Sequence, residues 1–243
     1  MSSILQVEGG HPLRGEITVR GAKNFVPKAM VASLLADTPS ELYNVPLIRD
    51  TDVVSDLLSL HGVQIDFDQD RGTLRMDPSN VKIASRSDID TLAGASRIPI
   101  LFCGPLLHQL GEAFIPELGG CAIGGRPIDF HLETLRKFGA IVDKQPDGVH
   151  IKRPASGLHG AIIELPFPSV GATEQTLLTA VRNEGITTLK GAAIEPEILD
   201  LINVLQKMGA IISVDTDRTI RIEGVAKLNG YRHTALPDRI EAA

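Results

Sequence analysis

The residues best suited to chemistry lie in one glycine-rich run at positions 119–131, which reads GGCAIGGRPIDFH. Four glycines in its first seven positions disfavour both a helix and a strand interior, because glycine loses the most backbone freedom on ordering. The run therefore predicts a loop that carries a thiol, Cys121, and a guanidinium, Arg126. Pro127 suits the first turn of a following helix, whose N-terminus would attract anions. The alternative is a surface turn in which the cysteine is incidental.

Two further cations stand at the start of helices that are rich in small residues. They are Lys23, followed by Asn24, and Arg97. The third helix of this kind follows a small polar turn: Ser169, Val170 and Gly171. If the three helices pack symmetrically, their N-termini meet at one end of the fold and form a site for a phosphorylated substrate. Taken singly, the two cations would be ordinary solvated charges.

The helices recur because the chain repeats one order of elements. Segments 50–78, 127–154 and 196–224 each predict an amphipathic helix, a glycine that ends it, and a β-hairpin. A further helix and strand precede each segment. Opening strands are predicted at 15–19, at 161–164 and, more weakly, at 81–83. The unit is therefore βαβαββ, with one copy in about 70 residues. The alternative is three unrelated helix–hairpin pieces.

Composition restricts the class of protein. The 243 residues are 43% hydrophobic and 22% charged and include no tryptophan, which predicts one large or two modest domains packed by aliphatic side chains. A net charge of −6 argues against nucleic acid as the main partner. The first eight residues lack the basic and apolar regions typical of a signal peptide, and the sequence contains no apolar run of about 18 residues. Its two cysteines indicate no disulfide framework. We therefore expect a cytoplasmic protein with no membrane partner.

Five motifs, in order along the chain, resemble those of the UDP-N-acetylglucosamine 1-carboxyvinyltransferases, a family of enolpyruvyl transferases. They are GAKN at 21–24, GGCAIGGRPIDFH at 119–131, SVGAT at 169–173, EPEI at 195–198 and PDRIE at 237–241. The resemblance implies an α/β fold (α+β in some schemes) in which three βαβαββ units form an inside-out α/β barrel. It also implies that residues 22–229 are this three-repeat domain. Residues 1–21, as a strand segment, and 230–243 would belong to a truncated second domain.

The resemblance also implies an activity. The enolpyruvyl group of phosphoenolpyruvate would be transferred to the 3-hydroxyl of UDP-N-acetylglucosamine with release of phosphate, the first committed step of peptidoglycan synthesis, without a metal or other cofactor. Cys121, Lys23 and Arg97 match catalytic residues, with Cys121 as the general acid. The matching substrate-binding residues are Asn24, Arg126, Pro127, Ile128, Asp129, Phe130, Ser169, Val170 and Gly171.

The family's chains continue beyond residue 243. The resemblance therefore implies that these residues are an N-terminal portion that is inactive alone, since they offer no convincing base for the substrate hydroxyl. Three alternatives stay open. The chain could be a nucleotide-sugar-binding half-protein without turnover, a relative of the shikimate-pathway enolpyruvyl transferases, or a structural repeat domain.

Overall fold

The computed structural model describes residues 4, 6–10, 12, 14–93, 97–116 and 128–243. Helices and strands alternate along the described chain, as expected of an α/β protein. The helices are α1 (Val26–Ala32), α2 (Arg49–Leu60), α3 (Arg86–Ala93), α4 (Cys103–Gln109), α5 (Asp129–Lys137), α6 (Val170–Ala180) and α7 (Pro196–Met208). Short 3-10 helices span Ser33–Leu35 and Ile98–Phe102. The strands are β1 (Ser40–Tyr43), β2 (Gln64–Asp68), β3 (Thr73–Asp77), β4 (Glu112–Ile115), β5 (Ile141–Gln145), β6 (Gly148–Lys152), β7 (Ile162–Glu164), β8 (Ile186–Lys190), β9 (Ile211–Val214), β10 (Ile220–Glu223) and β11 (Arg232–Thr234).

The described strands form three sheets. The first has the order β11-β1-β3-β2, in which β11 is parallel to β1 and the other pairs are antiparallel. The third, β7-β8-β10-β9, has the same pattern, with β7 parallel to β8. The second, β4-β6-β5, is antiparallel throughout. Two sheets therefore share one arrangement, and the second follows it without the parallel edge strand.

Three glycines end the helices that lead into the hairpins. Gly62 after α2, Gly139 after α5 and Gly209 after α7 have φ of +85°, +94° and +109°. Residues with a Cβ rarely adopt this left-handed conformation, whereas glycine enters it at little cost. Each glycine stops its helix and turns the chain into the next strand. The predicted helix–glycine–hairpin order is confirmed at all three places.

The interior of the described chain is built around helices. Every residue of α1 is buried, and so is α6 from Ala172 to Ala180. Helix α4 lies close against α6. A Cβ on Gly104 would collide with the hydroxyl of Thr179, so the helices could not pack this closely with a larger residue there. Helix α1 and most of α6 therefore contribute to the core of the described chain.

Two predicted strands are wrong. Residues 15–19 and 81–83 form no strand. A strand needs a neighbouring strand for its backbone hydrogen bonds. Among the described residues, no strand pairs with either segment. The parallel edge position of the first sheet is occupied instead by β11, which pairs with β1. The predicted boundary at residue 229 therefore does not coincide with the end of this sheet.

The helices also differ in extent from the prediction. The helix expected at 22–36 is α1 extended by a 3-10 turn, and the one expected at 95–110 begins as the 3-10 helix Ile98–Phe102. Proline near the start of both segments removes an N–H that could otherwise donate within the helix. Helix α3 was not predicted, because its eight residues carry only a short apolar pattern.

An antiparallel contact joins the start of this body to its end. The N–H of Ala22 donates to the carbonyl oxygen of Leu236 at 2.9 Å, and the N–H of Asp238 donates to that of Arg20, also at 2.9 Å. The backbone therefore enters and leaves the three sheets at neighbouring points.

Candidate active site

A cavity of about 430 Å³ lies where the first turns of α1 and α6 approach the 3-10 helix Ile98–Phe102. Its polar lining comes from four different parts of the chain. These residues are Asn24, Lys28, Arg97, His131, Ser169 and Glu174. Five residues that the sequence predicted for the site line this one cavity: Asn24, Arg97, Ser169, Val170 and Gly171.

The N-terminus of α6 forms one wall of the cavity. Ser169 is its N-cap, and its hydroxyl accepts a hydrogen bond from the N–H of Ala172 at 3.3 Å. Thr173 ties this turn down, because its hydroxyl donates to the Ser169 carbonyl oxygen at 2.8 Å and accepts from the N–H of Ala193 at 3.0 Å. The first N–H groups of a helix have no partner within the helix, so Val170 and Gly171 offer donors to an anion.

His131 packs against this helix start. A Cβ on Gly171 would lie 2.9 Å from Nε2 of His131, so only glycine allows the imidazole to approach so closely. Burial lowers the pKa of His131 to about 4, and the nearby charge of Arg97 acts in the same direction, whereas Gln175 raises it. The imidazole is therefore neutral near pH 7. The sequence motif ends at this histidine, but no role was predicted for it.

Lys28 and Glu174 were missed by the sequence analysis. Lys28 lies on α1 and Glu174 on α6, and Nζ of Lys28 is 3.5 Å from Oε1 of Glu174. Their side chains are only 10% and 5% exposed. Each is the single charged residue of its helix, and that was the available signal. What the sequence could not supply was the pairing, which joins positions 146 residues apart.

Lys23 lies outside this cavity. It lines a second one, of about 470 Å³, together with Pro46, Ile48 and Asp238. Its Nζ is 3.3 Å from Oδ2 of Asp50, and its backbone N–H donates to Oδ2 of Asp238 at 2.9 Å. The side chain of Lys23 therefore contacts Asp50 and lines this second cavity, whereas its neighbour Asn24 lines the first.

Only some of the residues predicted at the start of α5 lie within the described part of the chain. Ile128 is the N-cap of α5. The carboxylate of Asp129 is 3.5 Å from Nζ of Lys144, and the ring of Phe130 meets that of Phe167 edge-on at 5.3 Å. The remaining predicted residues, Cys121, Arg126 and Pro127, lie outside the described residues.

The described residues hold no group of three or more histidine, cysteine, aspartate or glutamate side chains placed to bind a metal ion. Nor does any helix among them have the length and apolar character needed to cross a membrane.

Cys103 is expected to stay unreactive while Cys121 is alkylated. Cys103 is fully buried in α4, and burial raises the pKa of its thiol far above the ordinary value, so almost no thiolate forms at neutral pH. Iodoacetamide labelling between pH 6 and pH 9, read by peptide mass spectrometry, measures both sites. The same protein in denaturant is the control in which both cysteines should react. Labelling of Cys103 in the folded protein at the rate of Cys121 would contradict the assignment.

Nearly the whole chain matches one known protein family. Residues 7–243 match EPSP synthase (3-phosphoshikimate 1-carboxyvinyltransferase). The chain belongs to this family. Among related sequences, the UDP-N-acetylglucosamine 1-carboxyvinyltransferase of Protochlamydia amoebophila is 43% identical over 99% of this chain and 52% of its own length. That of Acidiphilium cryptum is 46% identical over 98% of this chain and 56% of its own.

Solved structures of enolpyruvyl transferases share the fold. The enolpyruvyl transferase NikO from Streptomyces tendae superposes with a TM-score of 0.84 at 24% identity, covering 96% of this chain and 54% of that one. EPSP synthase from Acinetobacter baumannii superposes with a TM-score of 0.76 at 19% identity, covering 94% and 51%. The chain thus spans about half the length of the family members it matches.

Proposed function

We propose that these residues belong to an enzyme that transfers the enolpyruvyl group of phosphoenolpyruvate to the 3-hydroxyl of UDP-N-acetylglucosamine, releasing phosphate. This is a cytoplasmic reaction of peptidoglycan synthesis that uses two small-molecule substrates and no cofactor. Two relatives named for this activity, each more than 40% identical over nearly the whole chain, support the proposal. The observation that carries it is the cavity that unites Asn24, Arg97 and the start of α6.

The same proposal assigns a finer architecture. The three sheets with their helices are three βαβαββ units of an inside-out α/β barrel. Strand β11 takes the place of the opening strand in the first unit, and the described residues include no opening strand for the second. The shared strand order of the first and third sheets supports this assignment. Residues 22–229 form this domain. Strand β11 completes the first sheet of this domain. The rest of segments 1–21 and 230–243 belongs to a second domain, and the contact between Arg20 and Asp238 agrees with that pairing of segments.

The chemistry asks for an acid, a site for phosphate and a base. Protonation of C3 of the enol makes C2 electrophilic, and Cys121 is the proposed acid. Arg97 and the α6 N-terminus balance the charge of the anionic substrates through addition and departure of phosphate, and Lys23 is proposed as a further cation for the phosphate. Arg126, Pro127, Ile128, Asp129 and Phe130 are proposed contacts of the nucleotide sugar. The base that takes the hydroxyl proton is assigned to the other half of the family's longer chains.

Titration calorimetry with UDP-N-acetylglucosamine tests the binding half of this proposal, with shikimate 3-phosphate as the comparison ligand. We expect the 243-residue chain to bind the nucleotide sugar and to prefer it over shikimate 3-phosphate. A preference for shikimate 3-phosphate would overturn the assigned substrate.

Phosphate release from phosphoenolpyruvate tests the catalytic half. We expect no release by the 243-residue chain, and full activity for the longer relative from Protochlamydia amoebophila as the control. Release within about tenfold of that control, a difference of about 1.4 kcal/mol in barrier, would show that the base lies within these residues.

A further inference from the structure

The Lys28–Glu174 ion pair joins the two helices that form the cavity. Besides its contact with Glu174, Nζ of Lys28 donates to the backbone carbonyl oxygen of Asn24 at 2.9 Å. Asn24, Lys28 and Glu174 all line the cavity. The lysine thus connects the turn before α1, the body of α6 and the space that the ligand would occupy.

Several other charged groups surround Glu174. Two carboxylates at the start of α7, those of Glu195 and Glu197, lie close enough to repel the Glu174 carboxylate. Glu197 is itself held by Arg239 at 3.0 Å. Across the cavity lie Arg97, from the chain before the 3-10 helix, and His131, from α5. Among the residues that the structure describes, Lys28 is the cation in contact with Glu174, so the pairing of the carboxylate depends on this lysine.

We propose that anion binding in this cavity is linked to a proton on Glu174, because the bound anion and the Glu174 carboxylate compete for Lys28. Without ligand, the ionised carboxylate partly cancels the charge of the lysine. When an anion occupies the cavity, Glu174 takes a proton from solvent, and Lys28 balances the ligand instead. Glu174 is then a residue that sets the affinity for anions. The identification of the natural anion as the diphosphate of UDP-N-acetylglucosamine rests on the proposed function.

The protonation behaviour of the pair agrees with this geometry. Burial raises the pKa of Glu174 to about 7; the charge and hydrogen bond of Lys28 lower it, and Glu195 and Glu197 raise it further. A bound anion adds negative charge beside the carboxyl group and weakens its hold on Lys28, which favours the protonated form still more. The pKa of His131, lowered to about 4, keeps that imidazole neutral between pH 6 and pH 8, so it does not contribute to the linkage in this range.

The test uses two anions whose own charge is constant between pH 6 and pH 8, UDP-N-acetylglucosamine and inorganic sulfate. Calorimetry in two buffers with different ionisation heats measures proton uptake on binding, and amide NMR shifts of Asn24 and Gly171 follow sulfate. With Glu174 titrating near pH 7, binding is expected to be about tenfold weaker at pH 8 than at pH 6. The Glu174→Gln variant should lose both the proton uptake and this pH dependence, and the exposed-site control Glu223→Gln should keep them.

The outcomes separate this inference from the proposed function. Binding of the nucleotide sugar without proton uptake, or with the same pH dependence in Glu174→Gln, overturns the inference and leaves the function standing. Proton-linked binding of sulfate without any binding of the nucleotide sugar supports the inference and overturns the function. If neither anion binds, both fail. The wild-type measurement alone decides the case if the variant does not fold.

Discussion

Lowering the pH from 6.5 to 4 is expected to remove about 3 kcal/mol of unfolding free energy through His108 alone. Burial lowers the pKa of this histidine to about 4; Arg182 and Arg153 act in the same direction, and the hydrogen bond to Thr179 opposes them. Nε2 of His108 lies 2.8 Å from the Thr179 carbonyl oxygen, so the neutral ring carries its hydrogen there. A folded-state pKa below the unfolded value means that the stabilisation is complete above pH 6.5 and is lost as the pH falls towards 4.

Urea denaturation of the wild type and of His108→Gln, between pH 4 and pH 8, measures this effect. Glutamine can still donate to Thr179 but does not titrate, so the variant should lose about 3 kcal/mol less on acidification. His131, with its pKa also lowered to about 4, adds a second loss of the same sign in both proteins. Glu174 acts oppositely, because its raised pKa gives stability that is complete below about pH 4.5 and lost as the pH rises through about 7. Equal acid losses in the two proteins would contradict the role of His108.

The Arg97→Ala variant is expected to bind UDP-N-acetylglucosamine about 10- to 100-fold more weakly than the wild type, as hydrogen bonds to charged groups contribute about 1.5–3 kcal/mol each. Arg97 lines the cavity beside the start of α6, where the diphosphate is proposed to bind. Calorimetry at constant pH and ionic strength gives the affinity.

Two arginines in hairpin turns serve as matched controls for Arg97. The side chain of Arg71 is 83% exposed and lies 3.6 Å from Asp68, and Arg218 sits in a turn with φ of +64°. Neither lines the cavity, so Arg71→Ala and Arg218→Ala should bind as the wild type does. If either control loses as much affinity as Arg97→Ala, the ligand lies elsewhere.

Local sequence signals predicted much of the fold. The glycines after α2, α5 and α7 fix where each helix stops, and alternating strands around polar turns predict the hairpins. Strands that depend on a distant partner were not predictable in this way. Residues 15–19 have the pattern of a strand and do not form one, while Arg232–Thr234 becomes an edge strand by pairing with β1, almost two hundred residues earlier.

The candidate site was predictable to a similar degree. Polar residues at the starts of small-residue helices placed Asn24, Arg97 and Ser169 on one cavity. The sequence could not show that Lys23 turns towards Asp50, because that contact depends on how α2 packs beside α1. The pairing of Lys28 with Glu174 likewise depends on how α1 packs beside α6, which the sequence does not show.

The contact between Ala22 and Leu236 also has a topological consequence. Since the chain enters and leaves the three-sheet body at neighbouring points, a short linker between these residues could close the body into a ring. New termini could then be opened in an exposed hairpin turn, such as the one that contains Asp217, giving a circular permutant with the same packed interior. Because the two ends of the body are adjacent, it could also be inserted as a domain into a surface loop of another protein without separating the ends of that loop.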